Sequence, residues 1–484
     1  MAQLHDLTAL GAAEAMRRGE VGPVELVEHY LDRIARLDGQ IGAFVTITAE
    51  AARAQARRAE DELRRGDQVG NLHGVPTAIK DLNLTAGVPT SMGSATLAGW
   101  TPAVDDFVVT RLRAAGTVSL GKTATPEFGL PCYTETDIGP PARTPWDPTR
   151  LAGGSSGGAA AAVAAGFLPI AQGSDGGGSI RIPASVCGLV GLKPSRGRVS
   201  RGPLDADGAG LSVLGPLART VRDAAAFLDA VAGPMPGDPH WAPPLATGDT
   251  FLAACDREPG RLRIGRYLDS PIPTEVDPEV RAAWEGASQL LESLGHEVVD
   301  ISAPIPPDAI PAFETVWAVS AATAPVDPAQ EHRLRPLTRY LRARARDVSA
   351  VQYAQALGAL ALYARGGIAE SVQFDAVLTP TVAQLPRPIG YFTDGGDPAE
   401  DFERQKRFTP WTAIYNTTGQ PAISLPFALS ATCADHGRLP IGIMLVGRPA
   451  GESALLALAA QMEAAQMQGS GAWDRRHPSI WEQP

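Results

Sequence analysis

From Val27 to Leu37 the apolar residues Val27, Tyr30, Leu31, Ile34 and Leu37 keep helical spacing, and Pro23 is placed to open that helix. Residues 50–65, rich in Ala and Arg, read as a second helix. The period then shortens. "GVPTAIKDL" (residues 74–82) predicts a short apolar strand running into a lysine, and "TVSLGKT" (117–123) predicts another after the helix-like "FVVTRLRAAG". Later, Thr220 and Asp223 have the spacing of a capping box ahead of "AAAFLDAVAG". The prolines of "GPMPGDPHWAPP" (233–244) exclude a helix or inner strand, so this stretch reads as an exposed connection. "RLRIGRY", a helix over 278–294 and "HEVVDI" predict a β–α–β unit. Residues 303–370 read as mainly helical, and "FDAVLTPTV" (374–382) and "PIGIMLVG" (440–447) as late strands. Strands alternating with helices predict an α/β fold. The αβ pattern continues on both sides of the proline-rich connection, and no internal repeat interrupts it.

Composition narrows the class. The 484 residues are 44% hydrophobic and 20% charged, which suits a soluble chain with a sizeable core. A net charge of −11 argues against a nucleic-acid footprint. The arginines around 53–58 and 339–346 have acids nearby and read as solvated helix faces. Cys132, Cys187, Cys255 and Cys433 show no CxxC spacing, so a reducing, cytoplasmic setting without disulfides is expected. No basic leader with an apolar core opens the chain, and the alanine-rich run 159–167 is too short to span a bilayer. With no HExxH or paired CxxC, neither a metal nor any other cofactor is expected.

The chemistry concentrates in "GGSSGGAAAAVAAGFLPIAQGSDGGGSIRIP" (153–183), two glycine loops around an alanine block. A phosphate loop would need GxxxxGK[ST], and a dinucleotide fingerprint would need GxGxxG after a strand; neither spacing is present. "GGSSG" fits the G-x-S-x-G elbow of α/β-hydrolase esterases, with His436 or His477 as the only late histidines. A tightly packed Ala/Gly helix explains the alanines alone. It leaves the serines at 155, 156, 174 and 179, and the flanking Asp175 and Arg181, without a reason.

"GGSSGG", "GSDGGGSIR" and "GLVGLKPSRGRVS" resemble hallmark segments of the amidase signature hydrolases, and the spacing of Lys80, Ser155 and Ser179 agrees with that family's Lys–Ser–Ser arrangement. The likeness runs on through "TPEFG", "PWDPTR", "GPLARTVRD", "NTTGQPAISLPF" and "LPIGIMLVG". It implies a single α/β domain over 1–484, a mixed central sheet covered by helices on both faces, with a catalytic core at about 70–230 and a variable pocket region at about 300–420. By resemblance Lys80 is the general base, Ser155 a bridging serine in a cis peptide, and Ser179 the nucleophile. A serine–lysine set activates a hydroxyl without histidine.

The resemblance further implies an oxyanion hole from the backbone of Gly176, Gly177, Gly178 and Ser179, structural support from Asp175 and Arg181, and pocket residues at Leu130, Cys132 and Tyr133. Phe313, Trp317, Tyr340, Tyr353 and Phe392 are further candidates to line an apolar cleft. The implied reaction is hydrolysis of a small-molecule amide, anilide or carbamate by a monomer or homodimer. "RIPASVCGLVGLKPSRGRVSRGPL" leans toward the branch that includes nylon-oligomer hydrolases. An amidotransferase subunit supplying ammonia within a complex, and a catalytically inert scaffold, are the rival readings. Gly176, "PPARTPWDP" and "SLPFAL" depart from the family's usual wording, which bears on substrate identity rather than on the serines and lysine.

Overall fold

The computed structural model describes residues 3–205, 208–431, 437–468 and 477–483. Among these residues, eleven strands form two sheets. The smaller contains β1 (Phe44–Ile47), β2 (Pro76–Lys80) and β3 (Val118–Thr123) in the order β1-β3-β2, with β2 parallel and β1 antiparallel to β3. The larger is built from β4 (Ile170–Asp175), β5 (Val190–Lys193), β6 (Val213–Ala218), β7 (Arg263–Arg266), β8 (Glu297–Asp300), β9 (Ala376–Pro380), β10 (Ala422–Leu429) and β11 (Pro440–Gly447). Its order is β4-β6-β5-β10-β11-β9-β7-β8. The β7–β8 and β7–β9 pairs are parallel and the rest antiparallel. The sheet is mixed and flanked by helices, as expected, but a second small sheet accompanies it.

The predicted β–α–β unit forms β7, the helix Pro278–Ser293 and β8, with β7 and β8 adjacent and parallel. Helices Pro23–Ile41 and Ala49–Arg65 also form, and residues 303–370 hold three α-helices. Besides β1, strands β4, β5, β6 and β10 go beyond the elements that the sequence pattern predicts. These four are buried along their whole length, so they lack the polar alternation that marks a half-buried strand. In β10, Pro426 sits at a register shift, where its missing N–H interrupts no regular ladder.

The capping box at Thr220 is only half realised. Its hydroxyl accepts from the Asp223 amide at 3.0 Å. The Asp223 carboxylate, one methylene shorter than the glutamate such boxes favour, instead accepts from the amide of Leu10 at 2.9 Å. That bond ties the N-terminal helix Ala9–Arg17 to the helix Val221–Val231.

Glycine sets the closest approach near the site. The helix Gly157–Ala164 is entirely buried. A Cβ on Gly158 would lie 2.3 Å from the backbone nitrogen of Ala124, so only glycine lets this helix reach the end of β3. The same helix packs against β4, while the helix Arg181–Cys187 packs on β5, β10 and β11. Two short helices thus project their preceding loops, and with them Ser155 and Ser179, toward the end of β2.

Candidate active site

Lys80 is the last residue of β2 and is completely buried. Its Nζ lies 2.7 Å from Ser155 Oγ and 2.9 Å from Ser174 Oγ. Burial pushes its ammonium well below the usual lysine range, against the opposing pull of Asp175. Lys122 supplies the contrast. It too is buried and lowered by burial, but its Nζ lies 3.1 Å from Asp81 Oδ1, a partner that favours the charged form. Lys80 contacts hydroxyls where Lys122 contacts a carboxylate. Burial without a contacting carboxylate favours its neutral form.

Ser155 and Ser179 come from separate loops held together by backbone. The Gly154–Ser155 peptide is cis, and the Ser156 amide donates to the carbonyl of Ser179 at 3.1 Å. Ser156 Oγ in turn donates to the Ser174 carbonyl (3.1 Å) and accepts from the Ser174 amide (3.2 Å). Its hydroxyl is thus occupied in pinning one loop to β4. Ser174 carries a role that the sequence alone does not assign. It stands two residues after Gln172 on β4, so both side chains project from one face: Gln172 Oε1 accepts from the Lys80 amide at 2.9 Å, and Ser174 reaches its Nζ.

Asp175 and Arg181 form a fully buried bidentate pair, with both contacts at 2.9 Å. Burial alone would raise the Asp175 carboxyl, but Arg181, Lys193 and Asn416 hold it well below the usual carboxylate range. Its oxygens accept from the amides of Gly178 (2.8 Å) and Ile180 (3.2 Å), and Asn416 braces the pair from a distant helix. The pair fixes the bend that carries Ser179.

The Gly178 bond corrects the expected oxyanion set. Its N–H is committed to Asp175, and Gly178 lines neither cleft at the site. Its φ of +130°, with a Cβ that would lie 2.4 Å from Thr412 Oγ1, shows why glycine stands there. Gly176, Gly177 and Ser179 do face the clefts. Among the described residues, the amides of Gly177 and Ser179 have no acceptor. Thr412 Oγ1 donates to the Gly177 carbonyl at 2.6 Å and so turns that peptide.

Two clefts meet at Ser179. One, about 910 Å³ measured out to its mouth, is walled by Leu130, Ile182, Ile305, Ile310, Phe313 and Trp317 among others. The second, about 2150 Å³ on the same measure, reaches Ser155 and Ser174 and carries more polar groups. Leu130 and Cys132 line the apolar cleft, and burial raises the Cys132 thiol, which stays protonated. Tyr133 does not line either cleft. Its ring stacks on Phe392 (4.9 Å between centroids) and its hydroxyl donates to Asp401 at 2.6 Å, so both aromatics belong to the packed interior. Phe313 and Trp317 line the apolar cleft, Tyr353 the second, and Tyr340 packs behind Leu130.

The esterase elbow finds no support. Ser155 follows non-strand backbone rather than a strand, and His477 stacks on Trp481 at a site lined by neither serine. His436 lies outside the described residues. Among the described residues, no cluster of three or more His, Cys, Asp or Glu side chains is arranged to hold a metal ion. No helix there is long and apolar enough to cross a membrane.

The amidase family model matches residues 25–456. The chain belongs to the amidase signature family. Its relatives include the amidase-type protein AmiB2 of Mycobacterium tuberculosis, 41% identical over 98% of this chain and 99% of the relative. A glutamyl-tRNA(Gln) amidotransferase subunit of Chloroflexus aurantiacus is 37% identical over 94% of this chain and 96% of the relative. Among solved structures, 6-aminohexanoate cyclic dimer hydrolase in complex with substrate superposes with a TM-score of 0.90 at 33% identity, covering 99% of this chain and 100% of that one. An amidase of this family hydrolyses amides, acting on C–N bonds, and the hydrolase neighbour lies in the branch toward which the sequence leans.

Proposed function

We propose that this amidase cleaves amides, anilides or carbamates through an acyl-enzyme on Ser179, with Ser155 and Lys80 as the proton relay. The observation that carries this reading is the burial of Lys80 against the Ser155 and Ser174 hydroxyls, with no carboxylate in contact among the described residues. A neutral Lys80 takes the Ser155 proton as Ser155 takes that of Ser179. Ser179 Oγ then bonds to the carbonyl carbon, and the developing oxyanion is met by the amides facing the cleft. As the C–N bond breaks, Ser155 returns a proton to the departing nitrogen and is reprotonated by Lys80. Water next attacks the acyl-enzyme by the same route, releasing the acid and restoring Ser179. Ser155 and Ser179 open onto the same cleft, where a bound carbonyl would meet both hydroxyls.

The amidotransferase reading is favoured by the 37% identity to one such protein. Against it stands the apolar wall of the first cleft, which suits an alkyl or aryl acyl group better than the charged head of a free amino acid. Labelling with a sulfonyl fluoride tests the main reading. The modified peptide is expected to contain Ser179; Ser179→Ala abolishes labelling, and Ser156→Ala retains most of it. A label on Ser155 or Ser156 would overturn the assignment.

A further inference from the structure

Ser179, Leu130 and Trp317 are the residues shared by the two clefts. Ser155 and Ser174 open onto the second cleft only. That asymmetry orients the substrate. A group that hands a proton to the leaving nitrogen must lie beside that nitrogen, and the relay ends on Ser155. The nitrogen therefore lies on the Ser155 side, and the acyl carbon chain points the opposite way, past Trp317.

We infer that the two clefts divide the substrate at its scissile bond, an inference that rests on the serine reading above. The acyl half fills the apolar cleft. The amine half lies in the wider cleft and leaves through it, and hydrolytic water enters by the same path because it too must meet Ser155. The rim of that cleft carries Trp100 and Leu204, 42% and 70% exposed, with Leu84 and Phe128 further in. Exposed apolar side chains at a polar cleft's edge fit an aryl or alkyl amine as leaving group. Ammonia would leave this surface unused. The site is thus built for secondary amides or carbamates of apolar amines.

Partitioning of the acyl-enzyme tests this. The enzyme is acylated with p-nitrophenyl hexanoate, and the acyl mass increment on Ser179 is confirmed. Benzylamine or ammonia is then added at equal free-base concentration, and hexanamide products are measured against hexanoate. Benzylamine is expected to capture the acyl group at least about tenfold better than ammonia. Trp100→Ala and Leu204→Ser should each cut that preference several-fold. Ala309→Trp, in the apolar cleft, should depress hexanoyl relative to acetyl donors and leave the benzylamine-to-ammonia ratio where it was. If acylation occurs but neither rim variant moves the ratio, or Ala309→Trp moves it instead, the division of the substrate is wrong. If no acyl group appears on Ser179, the serine reading fails and takes this inference with it. Should a rim variant fail to fold, the milder Trp100→His or Leu204→Thr takes its place, and the change in ratio against wild type remains the reading.

Discussion

Replacing Lys80 separates a base from a positioning charge. An unperturbed lysine has a pKa of about 10.4, which leaves roughly one molecule in 2,500 neutral at pH 7. Each unit by which burial lowers that value raises the neutral fraction about tenfold, until the pKa meets the pH. Lys80 is fully buried with hydroxyl partners, so its shift is downward and large. Arginine stays charged throughout the accessible range, and a general base contributes about 10²–10⁴ in rate. Lys80→Arg is therefore expected to lose at least about 10²-fold in kcat/KM. Lys80→Met, close in length but without the base, should lose as much. The assay is aniline release from hexananilide between pH 5 and 11, with thermal melts confirming the fold.

Wild-type kcat/KM should rise with pH through the lowered Lys80 pKa and level off before the ordinary lysine range, and the residual rate of the variants should lack that limb. Stability carries the same sign. Between the folded pKa of Lys80 and about 10.4, the unfolded chain holds a proton that the folded one has released, so stability rises with pH across that window. Lys80→Met should accordingly melt higher than wild type at neutral pH. Near-native activity in Lys80→Arg would refute the reasoning, because a permanently charged group cannot accept the proton.

The nucleophile loop offers a paired test: Gly176→Ala should fold and keep measurable activity, since its added Cβ meets Trp317 at an ordinary 3.5 Å, whereas Gly178→Ala should be inactive or insoluble. Comparable expression and turnover for the two would contradict the loop geometry. Asp175→Asn leaves the buried Arg181 without its carboxylate and is expected to cost about 3–5 kcal/mol, read by urea denaturation. A change below about 1 kcal/mol would mean the pair is not what holds the bend. Lys193 is buried with a pKa lowered to about 7, so its penalty is full below pH 7 and shrinks toward pH 10. Lys193→Met should raise Tm more at pH 6 than at pH 9, and the opposite order would rule out a lowered lysine there.

The proposed catalytic serines are legible in the sequence because they lie in short loops. Ser155 and Ser179 each precede a short helix by a residue or two, and the glycines around them are required by contacts only a few ångströms away. The pocket is less legible. Cys132 and Tyr133 are neighbours in an irregular segment, where no period tells which side chain faces the cleft; one does, and the other goes under Phe392. Phe313 and Phe392 are equally apolar, yet only Phe313 reaches the cleft. What separates them is the packing of segments hundreds of residues apart, as in the Tyr133–Asp401 bond. The Gly178 amide escapes the sequence pattern for a related reason. Three consecutive glycines suggest three free amides, but the Asp175 carboxylate, placed by Arg181 and Asn416, claims one of them.

The proposed relay draws on both sheets. Lys80 ends a strand of the small sheet, whereas Ser174 and Asp175 end β4 of the large one. No ladder joins β2 to β4; side chains do. Gln172 accepts from the Lys80 amide and donates to Asn83 Oδ1 at 2.9 Å, and Asn83 in turn donates to Asp106 at the same distance. A join made of side chains leaves a buried slot in which Lys80 runs alongside β4 to the serines without meeting a carboxylate. Lys80 thus sits where the two sheets meet, with hydroxyls rather than a carboxylate in contact, and burial there lowers its ammonium. In the proposed relay, the downward shift of Lys80 is a property of the seam between the sheets.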